Sequence, residues 1–180
     1  MAKQFPAISP PLQGFIEAQR IFFTATAEAE GHVNLSPKGM DTLRVLGPNR
    51  VAWLSVTGSG NETAAHLVRN DRMTVMFCAF EGHPRILRLF GRARAVHRHD
   101  EGWDALIAHF EELPGTRNII DCQVEVVQTS CGMAVPYFDY AGERDDLLRW
   151  AEAKGPDGLA DYWEEKNTTS IDGKPIPLPT

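Results

Sequence analysis

The sequence predicts a mainly antiparallel β fold, a small barrel with helices packed outside it, and three observations lead there. Six or so strand-like runs crowd between residues 21 and 129, with one short helical stretch among them and further helices around and after them. That order lacks the regular strand–helix alternation of a doubly wound parallel sheet. The long run 85–97 also sets Leu87, Leu89, Gly91, Ala93 and Ala95 on one face, a stripe of small residues suited to a curved, crowded barrel wall.

Each element has its own signal. Residues 12–20 read as a short helix, with Phe15, Ile16 and Gln19 at helical spacing. Residues 21–27 are rich in Phe and Thr and read as a strand. After a Glu30-Gly31 turn, 32–36 return as a second strand, which Pro37 is expected to stop. A third strand over 42–46 closes at the Gly47-Pro48-Asn49 turn. Residues 50–57 alternate, with Val51, Trp53 and Ser55 on one face and Ala52, Leu54 and Val56 on the other. Gly58-Ser59-Gly60 breaks that strand, and Ala64, Ala65, Leu67 and Val68 support a helix over 61–69. Residues 72–80 form an apolar strand, 81–84 a turn, and 85–97 the long strand. Trp103, Leu106, Ile107 and Phe110 predict an amphipathic helix over 99–113, and 119–129 is the last strand. Helical stretches at 142–154 and 158–165 precede a Pro-rich tail.

Composition bounds the whole. With 180 residues, 43% hydrophobic and 23% charged, one domain is expected: a barrel at about 21–132 and a helical region with a tail at 142–180. The balance of 18 Lys+Arg against 24 Asp+Glu, net −6, argues against a general nucleic-acid or anionic-membrane binder. Three scattered cysteines, Cys78, Cys122 and Cys131, suit neither a disulfide framework nor a zinc site. The six histidines show no metal-ligand spacing, so no metal is expected. No apolar stretch approaches ~20 residues and no signal-peptide pattern opens the chain, which predicts a soluble, cytoplasmic protein.

Three features carry possible chemistry. The turn from Thr57 to Thr63 (TGSGNET) joins strand to helix; its glycines allow a tight turn and its free amides attract phosphate. It reads equally as a capping box, in which Glu62 satisfies the cap near Ser59. Ser36 and Lys38, on Asn34-Leu-Ser-Pro-Lys-Gly39, offer donors to an anion, or simply form an exposed turn. Arg88, Arg92 and Arg94 share a strand face, with Arg85 beside the turn; neighbours two apart stand about 7 Å from each other and repel, so they need acids, an interface or a phosphate. No nucleophile sits in a recognisable elbow, so no catalytic residue is assigned.

The stretches RVAWLSVTGSGNETAAHLVRNDRMTVMF (50–77) and PRILRLFGRARAV (84–96) place a strand, a Gly/Ser turn, a short helix, an apolar strand and a long Gly-containing strand in one order. That order resembles the FMN-binding split barrels related to pyridoxamine 5′-phosphate oxidase, over roughly residues 12–132. TSCGMAVPYFDY and YWEEKNTTSIDGKP are similar to the subgroup of predicted flavin-nucleotide-binding proteins. The resemblance implies an antiparallel split β-barrel and a homodimer with FMN in a cleft between subunits. It implies that Ser36 and Lys38 flank the flavin, that Ser55, Val56 and Thr57 run along its ring, and that Ser59, Asn61, Glu62 and Thr63 cover the phosphate side. Arg85 and Arg88 would enter from the adjacent strand. Asn61-Glu62-Thr63 stands where the oxidases carry Ser-Arg-Lys, so two positive charges are replaced and one negative is added. The function implied is an FMN-dependent oxidoreductase acting on a small-molecule substrate. The alternatives are a non-catalytic flavin-binding protein, or the same barrel holding a deazaflavin or haem.

Overall fold

The computed structural model describes residues 2–178. One sheet organises them. Strands β1 (Lys3–Phe5), β2 (Phe22–Thr26), β3 (Asn34–Lys38), β4 (Leu43–Gly47), β5 (Arg50–Val56), β6 (Arg72–Cys78), β7 (Arg85–Val96) and β8 (Thr116–Cys131) pair in the order β3-β2-β6-β7-β8-β5-β4, with β1 added beside β8. Every pairing is antiparallel. The helices are α1 (Pro10–Glu17), α2 (Glu62–Leu67), α3 (Trp103–Ile107) and α4 (Asp146–Lys166).

The expected fold class is the observed one, and the departures have local causes. β3 runs through Pro37 instead of stopping before it. It is the sheet's edge, where a residue without an N–H can be tolerated. α3 covers five residues rather than the span 99–113. Gly102 starts it in a left-handed conformation (φ 93°), and His109 and Phe110 donate to carbonyls three residues back, so the chain tightens into a turn after Ile107. The apolar side chains still pack as their spacing predicts: Trp103 and Leu106 cover Ala52, Leu54, Val96 and Ile119 on the outer face of the sheet. The two expected C-terminal helices form α4, kinked at Gly155, where φ is 66° and Pro156 follows.

The larger core lies on the other face. Val51 and Trp53 from β5 meet Phe22, Val75, Phe77, Leu87, Leu89, Ile120 and Val127, with Leu12 and Ile16 of α1 closing one side. β5 is therefore buried on both faces, which is why its pattern combines large apolar residues on each.

Gly91 pins the junction of β7 and β8. The register shifts there, with Glu125 as the extra residue of β8, and a Cβ on Gly91 would lie 2.1 Å from the Gln123 carbonyl oxygen. Gly91→Ala is expected to lower stability by about 1–3 kcal/mol or more, because backbone rather than a flexible side chain must move. Gly14→Ala, on α1 with open space around it, should raise stability by roughly 0.5–1 kcal/mol. Urea melts of both variants check the pair; equal effects would contradict the packing described.

Candidate functional site

A cleft of about 410 Å³ opens where β3, β5, the β5–α2 turn and the first residues of β8 meet. That is within the range of small-molecule sites, roughly 300–1,000 Å³. Nine of the residues singled out from sequence line it: Ser36, Lys38, Ser55, Val56, Thr57, Ser59, Asn61, Glu62 and Thr63. Arg85 and Arg88 do not. Arg85 stacks over the Phe15 ring at 5.3 Å, and Arg88 reaches the Ser130 hydroxyl at 3.4 Å. The rest of the arginine face is neutralised by acids: Arg92 bonds Asp71 at 2.7 Å and Glu125 at 2.9 Å, and Arg94 lies 3.6 Å from Asp121.

One wall is a chain of short polar side chains. Ser36 Oγ donates to Asn34 Oδ1 at 2.9 Å, and Asn34 Nδ2 donates to Thr63 Oγ1 at 3.1 Å. Beyond Lys38 the chain turns sharply. Met40 and Asp41 both hold positive φ (61° and 52°), conformations uncommon outside glycine, and the Thr42 hydroxyl ties the loop to the Gly39 carbonyl at 2.7 Å. Backbone strain of this kind clusters at ligand sites.

The β5–α2 turn is held from outside. Thr57 donates to the Gly115 carbonyl through both its N–H (2.8 Å) and its hydroxyl (2.7 Å), and its hydroxyl oxygen accepts from Trp163 Nε1 at 2.9 Å. The capping-box reading of the turn is corrected here. Asn61 occupies the N-cap with no side-chain cap bond, and Glu62 Oε1 instead accepts from the Ile171 N–H at 3.1 Å. The donor that engages Glu62 comes from the C-terminal tail.

Sequence reasoning missed Arg117. It lies on β8 two residues before the expected start of that strand, only 5% exposed. Its Nη1 donates to the Gly60 carbonyl at 3.0 Å and to Asn167 Oδ1 at 2.6 Å, while Nε is buried without a partner. Among the described residues no carboxylate lies within ion-pair distance of either Arg117 or Lys38. Burial pushes the Arg117 guanidinium down to about 10, against an opposing pull from Tyr162. Burial, then repulsion from Arg117, pushes the Lys38 ammonium down to about 8. Two like charges thus face one cleft of mixed polar and apolar lining, on which Glu62 also lies. The readable signal was an arginine inside Thr116–Ile120, a run otherwise free of charge.

The remaining candidates sit elsewhere. His66 is buried with Nδ1 3.0 Å from the Thr26 hydroxyl, and no cluster of metal-ligating side chains occurs among the described residues. No helix among them is long and apolar enough to cross a membrane.

Comparison with known proteins bears on the family and the fold. A family model described as pyridoxamine 5′-phosphate oxidase matches residues 8–131. The pyridoxamine 5′-phosphate oxidase family protein ustO of Aspergillus flavus is 34% identical over 189 aligned positions, covering 95% of this chain and 76% of that protein. Among solved structures, a variant of HupZ from Group A Streptococcus is similar with a TM-score of 0.56 and 17% identity, over 68% of this chain and 99% of its own. HutZ, the haem storage protein of Vibrio cholerae, is similar with a TM-score of 0.52 and 19% identity, over 70% of this chain and 97% of its own. At those identities the likeness is one of fold: an antiparallel split β-barrel with flanking helices.

The charge burial has a consequence for stability. Lys38 titrates near 8 when folded and at 10.5 when exposed, so between those values the unfolded chain holds more protons and stability rises with pH. Lys38→Met should therefore be more stable than the parent below about pH 8, with the difference shrinking as pH climbs toward 10.5. Chemical denaturation of both proteins across that interval checks the sign. A difference that widens with pH would contradict it.

Proposed function

This chain belongs to the pyridoxamine 5′-phosphate oxidase family, and on that footing we propose that it is an FMN-dependent oxidoreductase with the flavin in the Lys38–Arg117 cleft. The observation that carries the reading is a buried Arg117 and a half-buried Lys38 on one cleft, neither with a carboxylate at ion-pair distance among the described residues. A phosphate is the ligand group whose charge and oxygens satisfy both, and Arg117 supplies countercharge that Asn61-Glu62-Thr63 lacks. Ser36, Ser59 and Asn61 add hydroxyl and amide groups, and Asn61 Nδ2 is a buried donor without a partner.

Bound flavin would supply the redox chemistry. The chain's own part is to hold the phosphate, to set β5 along the ring, and to leave one side open to a small-molecule substrate. No side chain of the cleft is required as a general acid or base. The hydroxyl, amide and cationic donors that line the cleft suit a phosphorylated ring ligand. The reading includes a homodimer, in which Arg85 and Arg88, turned away from the cleft of their own chain, are available to the second subunit.

Titrating FMN and riboflavin into the purified apo-protein tests this. FMN should bind more tightly than riboflavin, which lacks the phosphate. Lys38→Ala and Arg117→Ala should each weaken FMN about ten- to hundredfold, the worth of one charge-assisted contact, and leave riboflavin nearly unchanged. FMN affinity of the parent should fall as pH rises through about 8, where Lys38 loses its proton, and Lys38→Ala should flatten that dependence. Equal affinity for the two flavins, or a protein that takes up haem in their place, would overturn the reading.

A further inference from the structure

The tail of the chain reaches back to the cleft. Asn167, at the C-terminal end of α4, is 0% exposed, and both ends of its amide are used. Its Oδ1 accepts from Arg117 Nη1 at 2.6 Å, and its Nδ2 donates to the Gly58 carbonyl at 3.2 Å. Two further bonds bring α4 and the tail to the same turn, Trp163 to Thr57 and Ile171 to Glu62. The matched family region ends at residue 131, so none of these three residues belongs to it.

The guanidinium geometry gives Asn167 its significance. Both protons of Nη1 are occupied, one by Gly60 and one by Asn167. Nε is buried without a partner, and Nη2 makes no hydrogen bond among the described residues. Nη2 is the nitrogen left to meet an oxyanion, since Nε is closed to solvent. A guanidinium pinned only at Gly60 could swivel about that bond; pinned at two acceptors, its plane is fixed.

We propose that Asn167 is the positioning residue of Arg117, holding Nη1 so that the unpartnered Nη2 meets the phosphate of FMN. The C-terminal segment is then a working part of the cofactor site and not only a brace on the barrel. The inference rests on the flavin reading above and adds to it a residue outside the matched region.

Flavin titrations of Asn167 variants decide it, with the melting temperature of each apo-protein recorded alongside. Asn167→Ala should weaken FMN about tenfold and leave riboflavin unchanged, because only the phosphate feels the loss. Asn167→Ala added to Arg117→Ala should cost little more than Arg117→Ala alone, since both act through one group. Asn167→Asp keeps an acceptor for Nη1 while losing the Nδ2 bond to Gly58, a loss its melting temperature reads, and it sets a carboxylate against Arg117. FMN affinity should then fall further than in Asn167→Ala, again with riboflavin unmoved. A merely structural Asn167 predicts equal losses for FMN and riboflavin, or full additivity with Arg117→Ala; either result overturns the inference. So does unchanged FMN binding in Asn167→Asp. If the parent itself binds FMN no more tightly than riboflavin, the flavin reading fails first. If the parent prefers FMN through Arg117 while Asn167→Ala does not disturb that preference, only the positioning role falls.

Discussion

Two like charges on one cleft, Arg117 buried and Lys38 half-buried, neither with a carboxylate at ion-pair distance among the described residues, are the constraint around which the mouth of this barrel is arranged. Burying an unpaired cation costs several kcal/mol unless its protons are bonded and a counter-charge arrives. Arg117 meets part of that demand with the Gly60 carbonyl and Asn167, and Lys38 meets part of it by standing 5.9 Å from the face of Trp53. Neither arrangement neutralises the charge. A fold that keeps such a pair is poised for an anionic ligand, whose charge offsets both the burial and, after it, the Arg117 repulsion that depress Lys38.

The rest of the molecule explains how the pair is held together. β5 and β8 lie side by side, with Ser55 opposite Asn118 and Val56 opposite Thr116, so Arg117 arrives beside the turn that leaves β5. Lys38 comes from the far side, at the end of the edge strand β3, where the strained Met40-Asp41 loop turns the chain back. α4 and the tail complete the enclosure with bonds to Thr57, Gly58, Glu62 and Arg117. A local sequence signature thus becomes a site only through pairings made far along the chain.

That distance explains what could be read beforehand. The strands were legible because alternation and turn residues are local properties, and most of the cleft was legible because Ser55 to Thr63 are contiguous. Arg117 was not, since its partner Gly60 is 57 residues away and only the β5–β8 register brings them together. The tail was less legible still: Ile171 meets Glu62 across 109 residues, and nothing in a Pro-rich ending announces which turn it will touch. Glu62 shows the same limit in reverse. Its spacing from Ser59 fits a cap, yet a donor from the tail engages it instead. Arg85 and Arg88 belong by sequence to a long strand near the site, but β8 lies between that strand and β5, and neither residue lines the cleft of its own chain.

A crystal structure of the chain grown with FMN is the most direct measurement of the central claim. The account predicts the phosphate within hydrogen-bond distance of the Arg117 guanidinium and the Lys38 ammonium, with Asn167 still bonded to Nη1. A phosphate held by other cations while Arg117 keeps only Gly60 and Asn167, or a cleft that FMN does not enter, would contradict it.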